Sequence, residues 1–106
     1  MRILIVEDEV RLAEALAQIM AEQKYQVDQV HNGADGLDYA LTAQYDVIVL
    51  DVMLPKIDGY GVCELIRHTS QVPVVMLTAL ESEENQLRGF DLQIDDYITK
   101  PFNPLE

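Results

Sequence analysis

The stretch Asp46-Val47-Ile48-Val49-Leu50-Asp51-Val52-Met53-Leu54-Pro55 constrains this chain more than any other. Val47 to Leu50 form an unbroken apolar run rich in β-branched residues, with Asp before it and Leu-Pro soon after. Such a run reads as a strand buried on both faces of a parallel sheet. Asp51 stands where that strand ends. An ionised carboxylate at the end of a buried strand costs free energy unless a cation meets it, so the position asks for a partner.

The rest of the chain repeats the pattern. Arg2 to Val6 is a first buried strand that stops at Glu7-Asp8-Glu9. From Val10 to Glu22, Leu12, Leu16, Ile19 and Met20 recur at helical spacing opposite Arg11, Glu14 and Gln18, which predicts a crossover helix. Tyr25 to Val30, the most polar of the strand candidates, belongs at a sheet edge, and Asn32 after it is a helix cap. Leu37, Ala40 and Leu41 predict a short second helix over Gly36 to Ala43. Beyond Asp51 the loop from Val52 to Asp58 closes on an Asp58-Gly59 turn, and Val62, Leu65 and Ile66 mark a third helix ending near His68. Pro73 to Leu77 is a fourth strand terminated by Thr78-Ala79; Glu81 to Phe90 is a loosely patterned fourth helix; Asp96 to Thr99 is a short fifth strand ending on Lys100-Pro101.

Strands alternating with helices over short connections specify an α/β domain with a mostly parallel sheet. Right-handed crossovers place helices on both of its faces. Ligands of such sheets bind beyond the carboxyl ends of the strands. Glu7, Asp8, Asp51, Thr78 and Lys100 all fall at that edge.

Composition removes several function classes. The 106 residues carry 19 Asp and Glu against 7 Lys and Arg, a formal charge of -12, so phosphate backbones and anionic membrane surfaces repel this chain. The single Cys63 sits in a helical pattern and reads as a small buried apolar residue. His31 and His68 lack metal-ligand spacing and read as surface residues. No apolar run reaches the ~18 residues of a membrane span, and carboxylates arrive too early for a secretory signal; the expectation is a cytoplasmic domain.

Asp8 and Asp51 follow the first and third strands, neighbours in such a sheet, and clustered carboxylates repel one another unless a cation lies between them. A hard divalent ion, Mg²⁺ before Ca²⁺, suits oxygen donors too few for a calcium cage. Lys100 adds an ammonium and Thr78 a hydroxyl, both phosphate-binding groups. A carboxylate nucleophile with these neighbours fits phosphoryl transfer onto Asp51.

With those residues in view, the chain resembles the receiver domain of two-component response regulators over essentially its whole length. The resemblance rests on Ile-Leu-Ile-Val-Glu-Asp-Glu at 3 to 9, Val-Leu-Asp-Val-Met-Leu-Pro at 49 to 55 with Asp58-Gly59, Pro-Val-Val-Met-Leu-Thr-Ala at 73 to 79, and Asp-Asp-Tyr-Ile-Thr-Lys-Pro-Phe at 95 to 102. It implies a flavodoxin-like (CheY-like), doubly wound, five-stranded parallel sheet of strand order 2-1-3-4-5, forming one receiver domain over residues 1 to 106. By the same resemblance Asp51 accepts a phosphoryl group from a sensor histidine kinase. Asp8, Asp51 and the Met53 backbone carbonyl ligate Mg²⁺, with Glu7 acting through a bound water. Thr78, the Ala79 backbone amide and Lys100 hold the phosphoryl oxygens, and the Lys100-Pro101 bond is cis. The implied switch couples Thr78 to Tyr97.

Arg88, Asp95 and Asp96 resemble the subfamily that dimerises on the face of the fourth helix and fifth strand and carries a C-terminal winged-helix DNA-binding domain. DNA would then be reached only through that absent domain, and no membrane contact is implied. Gln93-Ile94 departs from the Gly-Ala usual before the Asp pair. The chain stops at Glu106, where a fifth helix would begin, so it is expected to be a truncated receiver prone to associate through uncovered apolar surface.

Other classes fit less well. An aspartyl phosphatase would place an acid two residues after its nucleophile, where Met53 stands, so only weak self-phosphotransfer and autodephosphorylation are expected. A flavin or nucleotide binder needs a Gly- or Ser/Thr-rich phosphate cradle after the first strand, where Glu7-Asp8-Glu9 stands. A stand-alone receiver acting on a protein target, or an unphosphorylated receiver-like module, remain the alternatives.

Overall fold

The alternation of apolar residues along the strands sorts the interior into two layers. In the computed structural model, which describes residues 1–54, 57–78 and 96–99, the elements follow in the order β1 (Arg2–Val6), α1 (Val10–Glu22), β2 (Gln26–Val30), α2 (Gly33–Thr42), β3 (Val47–Asp51), α3 (Gly59–Arg67), β4 (Val74–Thr78) and β5 (Asp96–Thr99). For Thr78 and 96–99 the description is of the backbone. All pairings are parallel and the strand order is β2-β1-β3-β4-β5. The first strand therefore lies between the second and third, as the expected topology requires. The expected fourth helix over 81–90, and any fifth helix, lie outside the described residues.

On one face Leu4, Val6, Ile48, Leu50, Val74 and Met76 pack with Tyr60, Val62, Cys63 and Ile66 of α3, and Leu37 and Ala40 of α2 lie against them. On the other face Ile3, Ile5, Val49 and Leu77 meet Ala13 and Leu16 of α1, flanked by Leu12, Ala17 and Met20. Burying an aliphatic side chain of this size contributes about 1.5–3 kcal/mol, and residues from all of β1, β3 and β4 are buried on both faces. That double burial is why these strands read as continuous apolar runs, while edge strand β2 buries only Val30.

Local signals decide the helix starts. Asn32 caps α2: its side chain accepts from the Asp35 amide at 2.8 Å, so the helix begins at Gly33, three residues before the apolar spacing suggests. Asp58 caps α3 in the same way, accepting from the Gly61 amide at 2.8 Å; the expected Asp58-Gly59 turn is the start of a helix. Two leucines of the predicted stripes face solvent, Leu41 at 51% and Leu65 at 42% exposure, because small residues and Val62 and Ile66 occupy the inward positions. Cys63 is buried, as expected.

Candidate functional site

The sheet register brings the acidic residues together. Val6 of β1 pairs with Leu50 of β3, so the next residues, Glu7 just past β1 and Asp51 at the end of β3, stand side by side. The Glu7 amide donates to the Val30 carbonyl at 3.1 Å and the Val52 amide to the Leu77 carbonyl at 2.9 Å, so both strand ends remain anchored to their outer neighbours. One carboxylate oxygen from each of Glu7, Asp8 and Asp51 lies within 4.8 Å of the others. Glu7 is 0% and Asp51 1% exposed, whereas Asp8 is open to solvent.

Individual hydrogen bonds orient these groups. The Met53 amide donates to Asp51 Oδ1 at 3.1 Å, while the Met53 side chain is 63% exposed. The Glu9 amide donates to Glu7 Oε2 at 3.1 Å. Three carboxylates this close repel strongly in a partly dehydrated setting. The donor set is all oxygen, two members are buried and the third opens to water, which fits a hard divalent cation that retains part of its hydration. The acidic cluster thus meets the requirements of a metal site.

Of the predicted site residues, the structure brings together Glu7, Asp8, Asp51 and the Met53 backbone. Thr78 ends β4 and pairs with Thr99 of β5, and Tyr97 lies in β5 beside Met76, so their backbones run toward the same edge. Asp96 is the first residue of β5. The side chains of Thr78, Asp96 and Tyr97, together with Ala79, Arg88, Asp95, Lys100 and the Lys100-Pro101 bond, lie outside the described residues.

Two neighbours escaped the sequence. His31 is half-buried rather than on the surface, and its Nδ1 donates to the Glu7 carbonyl at 3.0 Å, which fixes the ring's orientation. No local pattern marks it: β2 pairs with β1 through Val30 and Val6, and that register alone sets the residue after β2 beside the residue after β1. Gly59 packs on the backbone of Asp51 itself. Nothing in the local sequence separates it from any glycine at a turn.

Known proteins share both the sequence and the geometry. A family model described as the response regulator receiver domain matches residues 3–106. The transcriptional regulatory protein DltR of Streptococcus agalactiae is 46% identical over 103 residues, covering 96% of this chain and 46% of that protein. The transcriptional regulatory protein ResD of Bacillus subtilis is 42% identical over 105 residues, 99% of this chain and 44% of its own length. The chain thus spans about half the length of the curated relatives it matches. Among solved structures, the chemotaxis protein CheY4 of Vibrio cholerae superposes with a TM-score of 0.92 at 28% identity, covering 98% of this chain and 89% of that one. DrrB of Thermotoga maritima, described as an OmpR/PhoB homologue, gives 0.87 at 36% identity over 98% of this chain and 47% of its own.

Proposed function

This chain belongs to the response regulator receiver domain family, and from that membership we propose that Asp51 is the phosphoacceptor of a two-component signalling switch. The observation that carries the assignment is the placement of Asp51: buried at the carboxyl end of the central strand, with Glu7 and Asp8 beside it and the Met53 amide on its Oδ1. In the reaction an Asp51 carboxylate oxygen bonds to the phosphorus of a kinase phosphohistidine as the P–N bond breaks. The imidazole nitrogen leaves, and an acyl phosphate remains on Asp51. Asp8, Asp51 and the Met53 carbonyl would hold Mg²⁺, with Glu7 acting through water, and the ion's contribution is to neutralise charge on the phosphoryl oxygens.

Thr78, the Ala79 amide and Lys100 are assigned to the phosphoryl oxygens, and Thr78 with Tyr97 to the switch that reads the modification. The domain's own chemistry is limited to weak phosphotransfer from small donors and slow autodephosphorylation. Because the relatives are named transcriptional regulators, we assign the output to transcription, through dimerisation on the face carrying Arg88, Asp95 and Asp96 and through a DNA-binding part of the full-length protein. A cytoplasmic location suits this role. No described helix is long and apolar enough to cross a membrane.

Intact mass after incubation with a small-molecule phosphodonor tests the assignment. The expected result is a gain of one phosphoryl group that requires both Mg²⁺ and Asp51 and is absent in Asp51→Asn. No gain in folded wild-type protein, or equal gain in Asp51→Asn, overturns it.

A further inference from the structure

The loop after Asp51 returns to the residue it left. Gly59, the first residue of α3, lies so close to the Asp51-Val52 peptide that a Cβ there would stand 2.8 Å from the Asp51 carbonyl carbon and 2.9 Å from Val52 Cα, and closer still to the Asp51 carbonyl oxygen. Backbone atoms have no flexible end to swing aside, so one of the two segments would have to move. Glycine is required here by close approach, since no described glycine has a positive φ. The contact is also bonded: the Gly59 amide donates to the Val52 carbonyl at 2.8 Å, and Asp58 caps the same turn through the Gly61 amide at 2.8 Å. Behind it Tyr60, Val62, Cys63 and Ile66 are each at most 1% exposed and hold α3 in the core.

We propose that Gly59 is a positioning residue for the Asp51 site, seating the backbone from Asp51 to Met53 on the first turn of α3 and so setting how far the Asp51 carboxylate stands from those of Glu7 and Asp8. This rests on the reading of the three carboxylates as a divalent-cation and phosphoacceptor site. With α3 fixed by its buried face, an added methyl displaces the Asp51-Val52 peptide. The Met53 amide then loses its bond to Asp51 Oδ1, and the carboxylates leave their spacing. Groups that orient a metal ligand typically change affinity by about 10- to 100-fold when altered.

The test compares Gly59→Ala with Ile66→Val, a destabilising change on the same helix away from Asp51. Mg²⁺ affinity is measured by calorimetry, and the Met53 amide is followed by NMR without metal. Gly59→Ala should weaken Mg²⁺ by about tenfold or more and shift the Met53 amide, while Ile66→Val binds as wild type. Wild-type affinity and an unmoved Met53 amide in Gly59→Ala, or equal losses in Ile66→Val, overturn the proposal.

If Gly59→Ala does not fold, Asp58→Ala and Asp58→Asn decide. Both remove the same charge and only the alanine removes the cap, so weaker Mg²⁺ binding and a shifted Met53 amide are expected in the alanine alone. Indistinguishable variants overturn the proposal. Absence of Mg²⁺ binding in the wild type sinks the functional reading instead, and the Met53 amide still decides the role of Gly59.

Discussion

At the opposite edge of the sheet from the acids, single side chains form a cluster whose worth depends on pH. Asp28 accepts from the Tyr45 hydroxyl at 2.7 Å and from the Arg2 guanidinium at 3.0 Å, and Arg2 Cζ lies 4.9 Å from the centre of the Tyr45 ring. The Arg2 and Asp28 side chains are 43% and 38% exposed, so the ion pair alone contributes at most about 1 kcal/mol. The hydroxyl bond matters more. It is the main cause holding the Asp28 carboxyl below its ordinary value, helped by Arg2 and opposed by partial burial. Burial, then the bond to Asp28, pushes the Tyr45 phenol up to about 12. A lowered carboxyl favours the fold above its unfolded value, near 3.9, and that contribution fades as pH falls through the folded value. A raised phenol favours the fold below its unfolded value, near 10, and the contribution fades as pH climbs from there toward about 12. Tyr45→Phe should therefore cost about 1 kcal/mol at neutral pH, raise the Asp28 carboxyl, and flatten the loss of stability at both extremes. Urea titrations across pH, with NMR titration of Asp28, measure all three. None of this was legible in Gln44-Tyr45-Asp46, because the partners lie on β1 and β2.

For the elements, packing against the sheet overrules helix propensity at identifiable places. Gly36 lies within α2, where alanine is ordinarily favoured by about 1 kcal/mol. Its Cβ would stand 2.8 and 2.9 Å from the two methyl groups of Val6, itself fully buried in β1. Overpacking of this kind costs about 1–3 kcal/mol. Gly36→Ala is accordingly expected to lower stability by about 1 kcal/mol despite the better helix former; chemical denaturation that instead finds stabilisation would show that Val6 gives way freely. The helices themselves were readable from period and caps. Asn32 is the cap its residue type predicts, accepting from the Asp35 amide. Exposed Leu41 and Leu65 were not readable, since helical spacing marks a stripe without saying where its edge meets the sheet.

Taken whole, the molecule carries a charge of -12, and three of its acids converge on one edge of the sheet. A divalent cation that binds only the folded state stabilises it by mass action, by about 3 kcal/mol at a hundredfold excess over Kd. Mg²⁺ should therefore raise the thermal midpoint beyond NaCl of equal ionic strength, which relieves only the general repulsion. Asp51→Asn should lose most of that difference and keep the NaCl response; equal responses to both salts would deny a specific site. What the sequence determined alone was the set of strands, their two-sided burial, the alternation with helices, and the carboxylates at the strand ends, because period and composition are local properties. Only the tertiary structure decided which strand ends are neighbours, that His31 meets Glu7, and that Gly59 bears on Asp51. Those contacts join residues far apart in the chain, and parallel register and close packing, which no local pattern encodes, bring them together.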